Sequence, residues 1–171
     1  MMLSEDVIAV IRLLEQSGCG VVVDGGWGVD ALLGCQTRPH ADLDLAIALT
    51  DVAMAMDLLR MGLGYVVSQD EMPTRLELGA ARNLRIDLHP LVFDEHDNGW
   101  QQLPDGRRGM YPASGLQGSG SIGGHRVRCL SPDLQLRFHL GYEPDDDDRR
   151  DVEALCRHFG LVLPDMYRRP G

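Results

Sequence analysis

Apolar residues recur every three to four positions over 4–16, SEDVIAVIRLLEQ, behind a serine and with acids in the opening turn. That spacing predicts an amphipathic helix capped by Ser4 and stopped by Gly18. The apolar run at 21–23 predicts a short buried strand that ends at Asp24 and a Gly25-Gly26 turn. Residues 27–33 then read as a short helix closed by Gly34. Alternation over 42–49, DLDLAIAL, predicts a strand, and Thr50 is placed to cap a helix over DVAMAMDLLRMG. Segments 64–68, 74–79 and 84–88 carry further strand patterns. The sum is an α/β (α+β) arrangement, a mixed sheet flanked by helices. Periodicity then fails: 94–124 is rich in Gly, Pro, Ser and Asn and predicts a long loop, with a binding role or local mobility. Residues 126–130 form one more strand candidate, Ser131-Pro132 starts a helix that runs to Gly141, and EPDDDD opens a last helix, RRDVEALCRHFG.

Composition narrows the class. A chain of 171 residues with 44% hydrophobic content suits one folding unit. No apolar run is long enough to span a bilayer, and the acids in MMLSEDVIAV sit where a secretion signal would be basic, so the expected location is cytoplasmic, with no membrane partner. Cysteines 19, 35, 129 and 156 form no CxxC pair and join no zinc-like histidine grouping, which predicts free thiols. A net charge of −10 argues against nucleic acid as a partner, because polyanion binding rests on Lys and Arg neutralising phosphates. All 16 basic residues are arginine, which removes Schiff-base chemistry and the phosphate-binding lysine of a P-loop.

The chemistry concentrates in the acids. Within a strand, Asp42 and Asp44 project from one face while Leu43 and Leu45 point into the core. Two like charges among apolar neighbours call for something positive to offset them, and a divalent cation would do so. In RLELGAARNLRIDLHPL, Arg85, Asp87 and His89 alternate with Ile86 and Leu88, again a polar face against an apolar one. Were this strand to lie beside 42–49, three carboxylates would converge as oxygen ligands for one or two Mg²⁺ ions that also hold substrate phosphates. Such a set suits phosphoryl or nucleotidyl transfer, with the third acid accepting a proton from the attacking hydroxyl.

GGWGVDALLGCQTRPHADLDL, residues 25–45, resembles the nucleotidyltransferase signature of the polymerase-β-like superfamily: a glycine pair, then Asp-x-Asp, then a third acid on a neighbouring strand. The Gly-Gly-Trp start and Arg-x-His before the acids are similar to the antibiotic-modifying branch. Within it, DGGWGVD, MPTRLEL, IDLHPL and RCLSPDLQLRFHLGYE look most like the small lincosamide nucleotidyltransferases, and next like the aminoglycoside 2″-nucleotidyltransferases. The resemblance implies a single nucleotidyltransferase domain over 1–171, with a catalytic core at about 1–93 followed by a loop-rich segment and C-terminal helices. It implies ATP or another NTP as co-substrate, Mg²⁺, an antibiotic acceptor and a homodimer. Transfer to an aminoglycoside, or to a protein partner as in minimal nucleotidyltransferases, stays open beside the lincosamide.

By the same resemblance Asp42, Asp44 and Asp87 bind the metals, and Asp87 serves as base toward the acceptor. Asp87 could instead form a salt bridge to Arg85 or a neighbouring arginine. Gly25 and Gly26 would let backbone N–H groups approach the triphosphate at a helix N-terminus, and Arg38 and His40 would hold the nucleotide. Asp30 would contact the acceptor or brace the loop, and His89 would contact substrate. Trp27 reads as core, and His139 and Tyr142 as packing positions of a helix. The run Asp145 to Asp148 lacks EF-hand spacing and reads as a helix start that complements the dipole.

Overall fold

Along the central strand, Leu43, Leu45 and Ile47 alternate with Asp42, Asp44 and Ala46, and this alternation makes one face of the sheet wholly apolar and the other divided. The computed structural model describes residues 1–168. In chain order its strands are β1 (Val21–Val23), β2 (Asp42–Ala48), β3 (Val66–Glu71), β4 (Arg75–Ala80), β5 (Leu84–Phe93), β6 (Gly99–Gln102), β7 (Arg108–Tyr111), β8 (Gly118–Ile122) and β9 (His125–Cys129). The helices are α1 (Ser4–Gln16), α2 (Gly25–Leu33), α3 (Val52–Leu63), α4 (Pro132–Phe138) and α5 (Asp146–Phe159). The sheet runs β3-β4-β5-β2-β1-β9-β8, with the β6–β7 hairpin branching from β5. β2 is parallel to β5 and β1 to β9, and the other neighbours are antiparallel.

On the apolar face, Leu43, Leu45, Ile47, Leu76, Leu78, Ile86 and Leu88 pack against Val7, Val10, Ile11 and Leu14 of α1 and Ala55 and Leu59 of α3. Each of the Val, Leu and Ile side chains contributes about 1.5–3 kcal/mol by leaving water. The opposite face carries a smaller core of Val22, Ala46 and Leu91 under Tyr111, Leu116, Leu130 and Leu134. The acids lie where this second core stops. Helix α2 packs between β8 and the C-terminal helices α4 and α5.

Several expectations need correction. Leu3, not Ser4, is the N-cap of α1, and Asp6 accepts its backbone N–H at 3.0 Å. Gly25 and Gly26 form the first turn of α2, with Asp24 as N-cap, instead of a turn ahead of it. Thr50 sits in a 3₁₀ turn, and α3 begins at Val52. The strand expected at 64–68 runs Val66–Glu71. The helix from Ser131 ends at Phe138, short of Gly141.

The largest difference is 94–124, which holds β6, β7 and β8 where a loop was expected. Their sequences, GWQQ, RGMY and GSGSI, lack apolar alternation, with glycines set against neighbouring backbone in β8 and against leucine side chains in β6 and β7. A Cβ at Gly120 would overlap the Ala31 carbonyl of α2, and one at Gly99 would lie 2.7 Å from Leu91 Cδ1. Among the described residues no helix is long and apolar enough to cross a membrane.

Candidate active site

Parallel pairing of β2 with β5 sets Asp42 opposite Arg85, Asp44 opposite Asp87 and Ala46 opposite His89. Register partners share a face, so the three carboxylates belong to one patch on the divided side of the sheet. Each has a cationic or hydrogen-bonding neighbour. Asp87 Oδ1 accepts from Arg75 Nε at 2.6 Å, Asp42 faces Arg85 Nη2 at 3.4 Å, and Asp44 Oδ1 lies 3.2 Å from His89 Nε2. Burial pushes the Asp42 carboxyl up from the usual carboxylate range, and the charge of Asp44 adds to it against the pull of Arg85. Asp87 is pushed up in the same way by burial, opposed by its hydrogen bond from Arg75. The patch therefore resists carrying its full negative charge.

The adjoining glycines are required by crowding. Asp24 ends β1 and caps α2, its Oδ1 accepting from Gly25 N at 2.7 Å, and burial pushes its pKa up. Gly25 has φ +58°, and a Cβ there would overlap the Asp44 carboxylate. A Cβ at Gly26 would overlap the His40 ring and the Arg38 guanidinium. From α4, the Gln135 amide donates to the Gly25 carbonyl and steadies this turn. The positive end of α2 thus opens beside Asp44, in a cleft of about 250 Å³. Asp24, Gly25, Gly26, Arg38, Asp44 and His89 line it together with Phe138, His139, Tyr142 and Asp148.

Not every candidate residue faces the cleft. Asp30 is only 2% exposed and accepts from Thr37 N at 2.9 Å and Thr37 Oγ1 at 2.6 Å, which braces the loop. His40 is also buried, bonded to Asp30 through Nε2 and set 4.8 Å from the Trp27 ring, itself core. It shapes the wall behind Gly26. Arg38 lines the cleft, yet its guanidinium is gripped by Asp151 of α5, Nε to Oδ1 at 3.1 Å and Nη2 to Oδ2 at 2.7 Å, with Asp147 at 3.4 Å.

Residues that pattern reasoning passed over are Asp24, Gln101, Tyr111, Phe138 and Asp148, together with His139 and Tyr142, which read as packing positions. Asp24 had a signal, an acid at a strand end directly before two glycines. His139 and Tyr142 reach the cleft because α4 stops at Phe138. Gln101 and Tyr111 sit on the β6–β7 hairpin, whose sequence carries no readable period. They join the site by hydrogen bonds: Gln101 Nε2 to His89 Nδ1 at 3.1 Å, and Tyr111 Oη to Gln101 Oε1 at 3.0 Å.

The donor set fits a divalent metal by its chemistry, three hard carboxylate ligands whose mutual repulsion a cation relieves. Among the described residues no group of three or more His, Cys, Asp or Glu side chains is gathered closely enough to hold a metal ion by itself. Of the three, Asp44 lines the cleft and Asp87 is buried beside it; Mg²⁺ is commonly shared between one or two carboxylates and substrate phosphates. Arg75 and Arg85, the counter-ions of Asp87 and Asp42, are 35% and 40% exposed.

Comparison with known proteins agrees with this fold. A family model described as aminoglycoside-2″-adenylyltransferase matches residues 6–155. A lincosamide resistance protein of Staphylococcus haemolyticus is 27% identical over 151 residues, which cover 88% of this chain and 92% of that protein. The crystal structure of the lincosamide antibiotic adenylyltransferase LnuA with lincomycin bound superposes with a TM-score of 0.79 at 26% identity, covering 92% of this chain and 97% of that one. The solution structure of the antibiotic-resistance factor ANT(2″)-Ia shares the fold at a TM-score of 0.73 and 18% identity, covering 92% and 84%.

Proposed function

The chain belongs to the aminoglycoside-2″-adenylyltransferase family, and from that premise we propose that it transfers AMP from ATP to a hydroxyl of a lincosamide antibiotic and so inactivates the drug. The observation that carries this reading is the pairing of Asp44 with Asp87 across β2 and β5, beside Asp42 and the N-terminus of α2. The lincosamide is favoured as acceptor because both the S. haemolyticus relative and LnuA, each above 25% identity and covering most of the chain, carry that specificity in their names.

In this reading Asp42, Asp44 and Asp87 hold Mg²⁺, which when bound neutralises the triphosphate and the charge that develops on it. The first turn of α2 presents its positive end and its Cβ-free glycines to the phosphates. Arg38, held by Asp151, directs its guanidinium over Gly26 toward the same anion. Asp87, with its pKa raised by burial, takes the proton of the acceptor hydroxyl as the oxygen forms its bond to the α-phosphorus. The bond from that phosphorus to the β-phosphate oxygen breaks in line, and pyrophosphate leaves.

Phe138 and Tyr142 offer apolar surface to the acceptor, and Asp148 offers charge to its amine. A cleft of 250 Å³ is small against the roughly 300–1,000 Å³ typical of drug-sized ligands, which supports a homodimer in which a second copy extends the wall. Incubation with Mg-ATP and lincomycin is expected to add the mass of one AMP to the drug. A folded protein that forms no such adduct with any of the four NTPs would remove the lincosamide. The fold and the family description keep an aminoglycoside as the second acceptor, and tobramycin in the same assay separates the two.

A further inference from the structure

Gln101 lies on β6, buried behind the catalytic face, and its amide has only one orientation that satisfies its neighbours. Its Nε2 is 3.0 Å from the carbonyl oxygen of Thr74 and 3.1 Å from His89 Nδ1, while its Oε1 is 3.0 Å from the Tyr111 hydroxyl. A carbonyl oxygen can only accept, so the atom facing Thr74 must be the NH₂ group. Turning the amide over would press two acceptors together. With the NH₂ so placed, one hydrogen serves Thr74 and the other points at His89 Nδ1. That ring nitrogen must then accept with its lone pair. The proton of the imidazole is left on Nε2, which lies 3.2 Å from Asp44 Oδ1.

From this geometry we propose that Gln101 is a positioning residue: it holds His89 in the Nε2–H tautomer, so that His89 donates to Asp44 Oδ1 and leaves Oδ2 free beside Gly25. The free oxygen is located by the glycine itself, since a Cβ on Gly25 would overlap Asp44 Oδ2. On the nucleotidyl-transfer reading, on which the purpose of this device rests, Oδ2 faces the first turn of α2, where cation and triphosphate meet. An Nδ1–H tautomer would set a bare Nε2 against a carboxylate, turn Asp44 away and lose this orientation. Outer partners that orient a ligating group through a histidine in this manner govern metal affinity and rate. The β6–β7 hairpin thereby acts on the catalytic strand without touching substrate.

The tautomer can be read directly in the free protein by long-range ¹H–¹⁵N correlation of the neutral His89 ring, assigned with H89Q. The wild-type ring is expected to carry its proton on Nε2 with Nδ1 bare. In Q101E, whose carboxylate can only accept at Nδ1, a proton is expected on Nδ1; in Q101M, which offers neither donor nor acceptor, the neutral ring should become a mixture. Both variants should lose roughly tenfold or more in kcat, with a smaller change in the KM for lincomycin. A proton on Nδ1 of the wild-type ring, or an unchanged tautomer in Q101M, would overturn the assignment even if Q101E does not fold. Because the ring is read without substrate, the predicted tautomer in a protein without transfer activity would refute the proposed function alone. An active enzyme with the proton on Nδ1 would refute this inference alone.

Discussion

Asp42 carries its charge at a cost to the fold. Its carboxyl is pushed above the ordinary range by burial and by Asp44, so the unfolded chain ionises it more readily than the folded one. The resulting penalty is absent below the ordinary carboxylate pKa, sets in as pH rises past it and is complete above the raised value. D42N is therefore expected to melt higher than wild type at pH 7 in EDTA and to lose that advantage in acid, while its transfer rate falls by at least about 100-fold. Calorimetry across pH together with an adduct assay checks both halves. A D42N protein that is less stable at neutral pH, or fully active, contradicts the role given to Asp42. The same repulsion made the Asp-x-Asp pair legible in the first place, because charge placed among Leu43, Leu45 and Ile47 has no structural benefit of its own.

Between elements, the tightest contact is β8 against α2. Gly120 has no room for a side chain because the Ala31 carbonyl lies where its Cβ would be, and backbone cannot rotate away as a side chain can. Gly120→Ala is expected to lower stability by about 2–3 kcal/mol, near the upper range for overpacking, or roughly 4–12 °C in Tm. Thermal unfolding followed by circular dichroism measures it. Gly18→Ala is the useful comparison, since that position is strained by φ +84° but meets nothing within 4 Å and should cost only about 1–2 kcal/mol. Equal effects would mean that α2 and β8 do not press together. This contact also explains why β8 was unreadable in the sequence. Strand signals come from alternating bulk, and GSGSI has given up its bulk so that two backbones can pass.

For the whole molecule, a divalent ion should act as a stabiliser, because it binds the folded face of acids and not the dispersed acids of the unfolded chain. Mg²⁺ at a hundredfold excess over its Kd is expected to add about 2.7 kcal/mol, with EDTA reversing it. Protons compete for the same oxygens, so the gain should fade as pH falls. The raised pKa values of Asp42 and Asp87 make it fade before ordinary carboxylates protonate. Melting curves with and without Mg²⁺ over the acid range test this, and a pH-independent increase in Tm would indicate that the ion binds elsewhere. Size-exclusion chromatography with light scattering tests the homodimer, with a single-chain mass as the outcome that removes it.

Local pattern was enough for the outline of the first half of the chain. Residues 4–16 and 42–49 have helix and strand periods and 21–23 is an apolar run, while Asp42, Asp44 and Asp87 stand out as charges on the polar side of alternating strands and the glycine pair as a break between elements. Long-range pairing decided the rest. Only the parallel register of β2 and β5 brings Asp87 to Asp44, and only the folded C-terminal half takes Arg38 to Asp151. Asp30 and His40 turned inward to each other for a reason no local motif contains, since a buried polar group needs a partner and the partner is chosen by packing. Gln101 shows the same rule from the other side: a glutamine in a stretch without period acquires its meaning from Thr74, His89 and Tyr111, which approach it only after the sheet has formed.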